Sequence, residues 1–158
     1  MLELYHGSNL AIEQIDLSLC KPYKDFGKGF YLTDILQQAL DMAYRRTRVV
    51  GSGSPIVTKY LFDENLLGND SLKVLSFDAP SKEWAKFILA NRDRMAKFAH
   101  DYDIVIGPIA DDGVAFQLQK FKDGAITLDE LVRELTYRRL NRQYFFGTEK
   151  AIRLLQRV

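Results

Sequence analysis

The chain has 158 residues, 47% of them hydrophobic and 27% charged, and carries a formal net charge of +1. That size and balance fit one globular domain, 1–158, with a core of its own, and exclude a chain drawn by its overall charge onto nucleic acid or a membrane surface. No apolar run reaches the roughly 18 residues needed to cross a bilayer, and Met1–His6 lacks the basic and apolar regions of a signal peptide. The single cysteine, Cys20, cannot form an internal disulfide, which points to a reducing setting. The expectation is a soluble, cytoplasmic protein without a membrane partner.

The first predicted element is a short strand, Leu2 to Tyr5, running into His6-Gly7-Ser8. A loop through residues 21–29 leads to a second strand, Phe30-Tyr31-Leu32. Thr33 or Asp34 is expected to cap the helix that follows, with Gln37 three residues beyond Asp34 in a capping-box relation. Ile35, Leu36, Ala39, Leu40 and Ala43 recur at helical spacing and predict its buried face. Pro55–Phe62 and Leu72–Phe77 read as strands. Ser81–Phe98 reads as the longest helix, with Trp84, Phe87, Ile88, Met95 and Phe98 near one face. Asp103–Ile106 reads as a buried strand ended by Gly107-Pro108, and Val114–Phe121 as a helix stopped by Asp123-Gly124. Thr127 and Glu130 form a capping box for a helix to about Arg138. Gln143–Phe146 reads as a strand and Glu149–Gln156 as a closing amphipathic helix. Strands and helices mix without regular βαβ alternation, so the fold class is α+β.

Two segments carry polar groups that a plain core does not need. Tyr5-His6-Gly7-Ser8 offers an imidazole for a ribose hydroxyl and a bare glycine backbone for a flat ligand, although a strand-end histidine also has structural uses. Phe26-Gly27-Lys28-Gly29-Phe30-Tyr31-Leu32-Thr33-Asp34 places a tyrosine in a strand behind two glycines. Its ring suits a planar heterocycle, and a hairpin glycine pair with a core tyrosine is the plainer alternative. Phosphate-loop and dinucleotide fingerprints are absent. His6 and His100 stand far apart in the sequence, without metal-ligand spacing. Asp111-Asp112 offers carboxylates to a cation, or simply a solvated turn. Cys20 is a lone thiol, for which a nucleophilic role has no partner pattern.

Taken together, these two segments resemble the ADP-ribosyltransferase superfamily, in the diphtheria-toxin and poly(ADP-ribose) polymerase branch with a His-Tyr-Glu signature. With Tyr102–Asp112 and Gln143–Ile152 added, the whole chain resembles more narrowly the bacterial DUF3990 family. The resemblance implies a split mixed and antiparallel sheet core with flanking helices and an enzyme that consumes NAD as substrate. It further implies a macromolecular acceptor, protein or nucleic acid, and a toxin restrained by a small antitoxin protein. His6 would bond the adenosine ribose, Gly7 would pair its backbone with the nicotinamide carboxamide, and Tyr31 would stack on nicotinamide. Ser8, Gly29 and Thr33 would line the same site.

Two positions depart from that pattern. The late strand carries Gln143 where the family glutamate stands, while Glu149 lies past Gly147 and is expected to point elsewhere. The second stacking tyrosine is replaced by Met42 at the matching spacing, with Tyr44 the nearest aromatic. Gln143 can accept a bond from a ribose hydroxyl but cannot act as a general base, so acceptor activation would fall to another carboxylate such as Asp111 or Asp112. Gln143→Glu is expected to preserve or raise NAD cleavage, and Tyr31→Phe to keep most binding. NAD hydrolysis and RNA 2′-phosphate removal are related alternatives, the latter favoured by Lys21, Lys24 and Lys28. A catalytically inactive NAD-binding module is the third.

Overall fold

The computed structural model describes residues 1–136 and 138–158. Its strands form two sheets. One joins β1 (Leu2–Ser8), β3 (Ile56–Phe62) and β7 (Gln156–Arg157) in the order β1-β3-β7. The other joins β2 (Phe30–Leu32), β6 (Arg142–Phe146), β5 (Ile104–Pro108) and β4 (Val74–Ser76) in the order β2-β6-β5-β4. Among the described residues only β4 and β5 run parallel, and the other strand pairings are antiparallel. The α+β class follows from this mixture.

Side-chain alternation divides the core in two. Ile104, Ile106, Tyr144 and Phe146 face the first sheet, where Leu4, Tyr60 and Phe62 meet them. Val105 and Phe145 point to the opposite face, under Phe26, Trp84, Ile88, Leu118 and Leu131. The cover over that face is the 21–29 loop with α2 (Lys82–Arg92), α3 (Asp112–Lys122) and α4 (Leu128–Thr136). A one-residue slip in β6 would exchange these sets, so its register is tightly specified.

Helix α1 (Leu36–Val50) packs on β1 through Ala39 and Ala43, the two residues it fully buries. Ile35 and Leu36, expected inside, are 37% and 48% exposed. Neither Thr33 nor Asp34 caps this helix: Ile35 is the N-cap, and the Thr33 hydroxyl instead accepts from Ile35 N (3.2 Å) in the turn just before it. α2 starts as expected, with Ser81 accepting from Trp84 N, but ends at Arg92 rather than Phe98. The Asp93 carboxylate accepts from Met95 N (2.9 Å) and Ala96 N (3.3 Å), a local turn that competes with the helix. Met95 and Phe98 are consequently exposed. Thr127 accepts from Glu130 N (3.2 Å) at the start of α4; the expected reach to about Arg138 crosses residue 137, outside the described residues. The closing helix is a single turn, α5 (Glu149–Ile152), because Gln156 and Arg157 pair with Leu61 and Tyr60 at the sheet edge.

Candidate functional site

Besides their shared core, the two sheets are joined among the described residues by one backbone bridge, Tyr5 with Thr33. Tyr5 N donates to Thr33 O (2.8 Å) and Thr33 N to Tyr5 O (3.0 Å). In an antiparallel ladder the next bonded pair would be Gly7 with Tyr31. Instead the His6 ring enters the gap, and its Nδ1 lies 2.7 Å from Tyr31 O. The ladder stops there and the sheets part. Because Tyr5 turns its N–H and C=O away from β3, the alternation sends those of Gly7 the same way, into the gap. Among the described residues neither group has a partner on that side.

His6 is fixed in one tautomer. Tyr31 O can only accept, so Nδ1 carries the proton and Nε2 is left as an acceptor. Its ring stacks on Phe30 at 4.3 Å. Burial holds its pKa below 6.5; the bond to Tyr31 O acts the other way, and the Arg46 charge adds to the lowering. The neutral form is therefore the resident one. The unfolded chain takes up a proton near pH 6.5 while the native chain does not, so native stability is flat above that value and falls as pH drops below it. Urea unfolding at about pH 7.5 and about pH 5.5 should show this loss, reduced in His6→Gln. Equal pH slopes in both proteins would refute it.

Tyr31 holds the loop beside it. Its hydroxyl donates to Gly27 O (2.7 Å) and accepts from Phe26 N (2.9 Å), and its ring meets Phe145 edge-on at 5.3 Å. Burial pushes the phenol far above its usual range. The ring-only expectation for this residue therefore changes: phenylalanine keeps the ring but strands the Phe26 N–H. Tyr31→Phe should cost about 1–3 kcal/mol in denaturant unfolding, the penalty for an unpaired part-buried donor. A variant as stable as wild type would show that the hydroxyl holds nothing.

Two adjoining cavities share His6, Gly7, Tyr31 and Met42 as walls. The smaller, about 140 Å³, is also lined by Thr33 and Gln143. The larger, about 310 Å³, adds Ser8, Gly29, Lys21, Lys24 and Arg46. Pockets for small ligands run to about 300–1,000 Å³, so the pair has the capacity for an extended one. His6, Gly7, Tyr31 and Gln143 thus come together from three strands, β1, β2 and β6. Ser8 and Gly29 lie on the larger side. Thr33 lines the smaller, although its hydroxyl is occupied by the turn into α1.

Other expected residues stand elsewhere. Tyr44 is 59% exposed and faces a separate surface hollow with Thr47 and Pro55. It follows Ala43 by one position, about 100° around the helix, which carries it away from the cleft. Met42 forms the wall in its place. Asp111 caps α3 by accepting from Val114 N (2.8 Å), and Asp112 sits exposed in that helix's first turn. Neither lines the cleft. Lys28 lines a different cavity, beside His100. His100 is an anchor, bonded to Phe26 O (2.6 Å) and Tyr102 N (3.1 Å). Cys20 borders the larger cavity, but burial raises its thiol pKa. Among the described residues no group of three His, Cys, Asp or Glu could hold a metal ion, and no helix is long and apolar enough to cross a membrane.

Sequence reasoning missed Asp25, Arg92 and Arg46. Arg46 follows Met42 by one helical turn and so faces the same cavity. Asp25 accepts from Arg92 Nε (2.7 Å) and lies 3.4 Å from the side-chain nitrogen of Gln143. No periodic pattern joins residues so distant in the chain. A glutamate at 143 would stand against the Asp25 carboxylate, a like charge that works against the benefit expected of Gln143→Glu.

No curated protein and no solved structure matches the chain. A family model described as a protein of unknown function, DUF3990, matches residues 2–157, so this chain belongs to the DUF3990 family.

Proposed function

We propose that the cleft binds NAD as substrate and that the protein is an ADP-ribosyltransferase with the His-Tyr-Gln variant of the superfamily signature. The observation that carries this reading is the open ladder at Gly7. An adjacent donor and acceptor on one strand edge suit a carboxamide, which offers one acceptor and one donor pair. Tyr31 supplies a ring beside that edge, and the neutral His6 supplies Nε2 as acceptor for a ribose hydroxyl. Lys21, Lys24 and Arg46 give the larger cavity the cations that a diphosphate requires.

In this reading the bond that breaks joins the ribose carbon to the nicotinamide nitrogen, whose positive charge is neutralised as it takes the electron pair. Positive charge grows on the ribose, and the oxygen of the Gln143 amide steadies it by accepting from the ribose hydroxyl. An acceptor nucleophile then bonds to the ribose carbon and loses its proton to solvent. Gln143 cannot take that proton, and no carboxylate lines the smaller cavity, so the acceptor must be nucleophilic itself. The resemblance to toxin-like transferases supports a protein or nucleic-acid acceptor and a small antitoxin partner.

A second reading is favoured by the same cations: RNA 2′-phosphate removal, in which Lys21, Lys24 and Arg46 would hold the phosphate. Incubation with NAD labelled in the ADP-ribose part and a cell lysate separates the outcomes. Label on a macromolecule supports the transferase, free ADP-ribose a hydrolase, and label on a phosphate released from RNA the second reading. NAD that binds and stays intact would leave a binding module.

A further inference from the structure

We infer that Asp25, held by Arg92, is a positioning residue that fixes which end of the Gln143 amide faces the cleft; this rests on the NAD-cleaving reading. Asp25 precedes the fully buried Phe26 in the loop, and its side chain is 16% exposed. Its Oδ1 takes two bonds from the guanidinium of Arg92, at 2.7 Å from Nε and 2.5 Å from a terminal nitrogen. Arg92 is the last residue of α2, so the loop is tied to a helix end and the carboxylate cannot swing freely.

The other oxygen, Oδ2, faces Gln143 Nε2 at 3.4 Å, and Pro108 O lies 3.5 Å from the same nitrogen. A carboxylate and a carbonyl can only accept. The two contacts are long, but the reverse amide orientation would set the Gln143 oxygen against both acceptors at once. The nitrogen therefore belongs on this side, and the oxygen is left for the cavity that Gln143 lines with His6, Gly7 and Tyr31. That orientation matters chemically. An amide oxygen accepts from a ribose hydroxyl and turns the negative end of its dipole to the growing charge, whereas a flipped amide would present the positive end.

The same contacts explain why glutamine occupies this position. A glutamate would bring a second carboxylate against Asp25, and like charges at this distance oppose ionisation of both. Here the formal charge sits one residue behind the cleft, on Asp25, and reaches the site through the amide.

Asp25→Asn, Gln143→Glu and the double variant test this. Asparagine can still accept from Arg92, so the loop tie survives. Each single variant should lower kcat for NAD cleavage by about tenfold, the loss of one charge-assisted contact, with Kd for NAD within about threefold. In the double variant the asparagine amide can donate to the new glutamate, and kcat should return to within about threefold of wild type. Losses that simply multiply in the double variant would overturn the inference, as would single variants at wild-type rate. A second readout does not depend on catalysis. In 15N-labelled protein, the Gln143 side-chain NH2 signals, assigned by their absence from Gln143→Glu, should shift and exchange faster with water in Asp25→Asn. Unchanged signals would overturn the positioning role even if NAD is cleaved, whereas no cleavage by wild type with the shift present would remove only the NAD reading.

Discussion

Gly7→Ala should destabilise the protein by at least about 3 kcal/mol, beyond the usual range for an inserted methyl group. A Cβ at this position would lie 1.9 Å from Ala39 O, 2.8 Å from Ala43 N and 2.9 Å from Ala39 C. All three are backbone atoms of α1, so no side-chain rotation can relieve the clash. The helix would have to lift from β1, uncovering the contact that Ala39 and Ala43 make. At about 2–4 °C per kcal/mol for a domain of this size, the midpoint of thermal unfolding should fall by about 10 °C. Gly68→Ala is the matched control, because nothing lies within 4 Å of its Cβ position. A Gly7→Ala protein melting within about 2 °C of wild type would show that the helix sits less tightly than the geometry requires. Gly7 thus has two independent duties. The Cα hydrogen in the Cβ direction faces the helix, while the N–H and C=O face the cleft, so loss of ligand binding in this variant would not test the proposed carboxamide contact.

That close approach also accounts for what the sequence showed of α1 and what it hid. Ala39 and Ala43 could be read as buried from their spacing, but the same periodicity enrolled Ile35 and Leu36. Where the helix lies directly on the Gly7 backbone the small Ala39 and Ala43 fit beneath it, whereas Ile35 is the N-cap with extended backbone and so falls outside the helical periodicity. Trp84 and Ile88 likewise followed the pattern in α2, while Met95 and Phe98 did not, because the Asp93 turn ended the helix first. Local side-chain bonds of this kind leave no trace in apolar spacing. The strands were easier: β2 and β6 stand out as short aromatic runs, and β3 as a β-branched and aromatic one.

The site divides in a similar way. His6, Gly7 and Tyr31 were legible because they sit in short strand segments with groups that a plain core does not need, whereas Gln143 came only from the resemblance, as the residue at the family's glutamate position. Their meeting in space follows from β2 pairing with β6 and touching β1 at Tyr5 and Thr33. The ion pair behind Gln143 was not legible. Asp25 and Arg92 come from a loop and a helix end, and partners so far apart declare themselves only when the chain is folded. The tautomer of His6 was hidden for the same reason, since it depends on a carbonyl 25 residues away.

Gln143→Ala should lower kcat for NAD cleavage by about 10²-fold while Kd for NAD changes by no more than about threefold. The amide oxygen faces the cavity that also holds the Gly7 edge and the Tyr31 ring, and those two, with the cations of the larger cavity, would provide most of the ground-state binding. In the proposed reading the contact to the ribose hydroxyl would strengthen only as positive charge grows on the ribose, so its loss would belong to the barrier rather than to affinity. Removing the side chain leaves Asp25 paired with Arg92, which keeps the loop and the fold in place. Circular dichroism should confirm that fold before rates are compared. Single-turnover cleavage and direct titration of NAD give the two constants separately. Equal loss in both would mean that Gln143 binds substrate and transition state alike, and its role in the chemistry would have to be given up. Unchanged kcat would move the charge-stabilising group elsewhere, with Asp25 itself the nearest carboxylate to take its place.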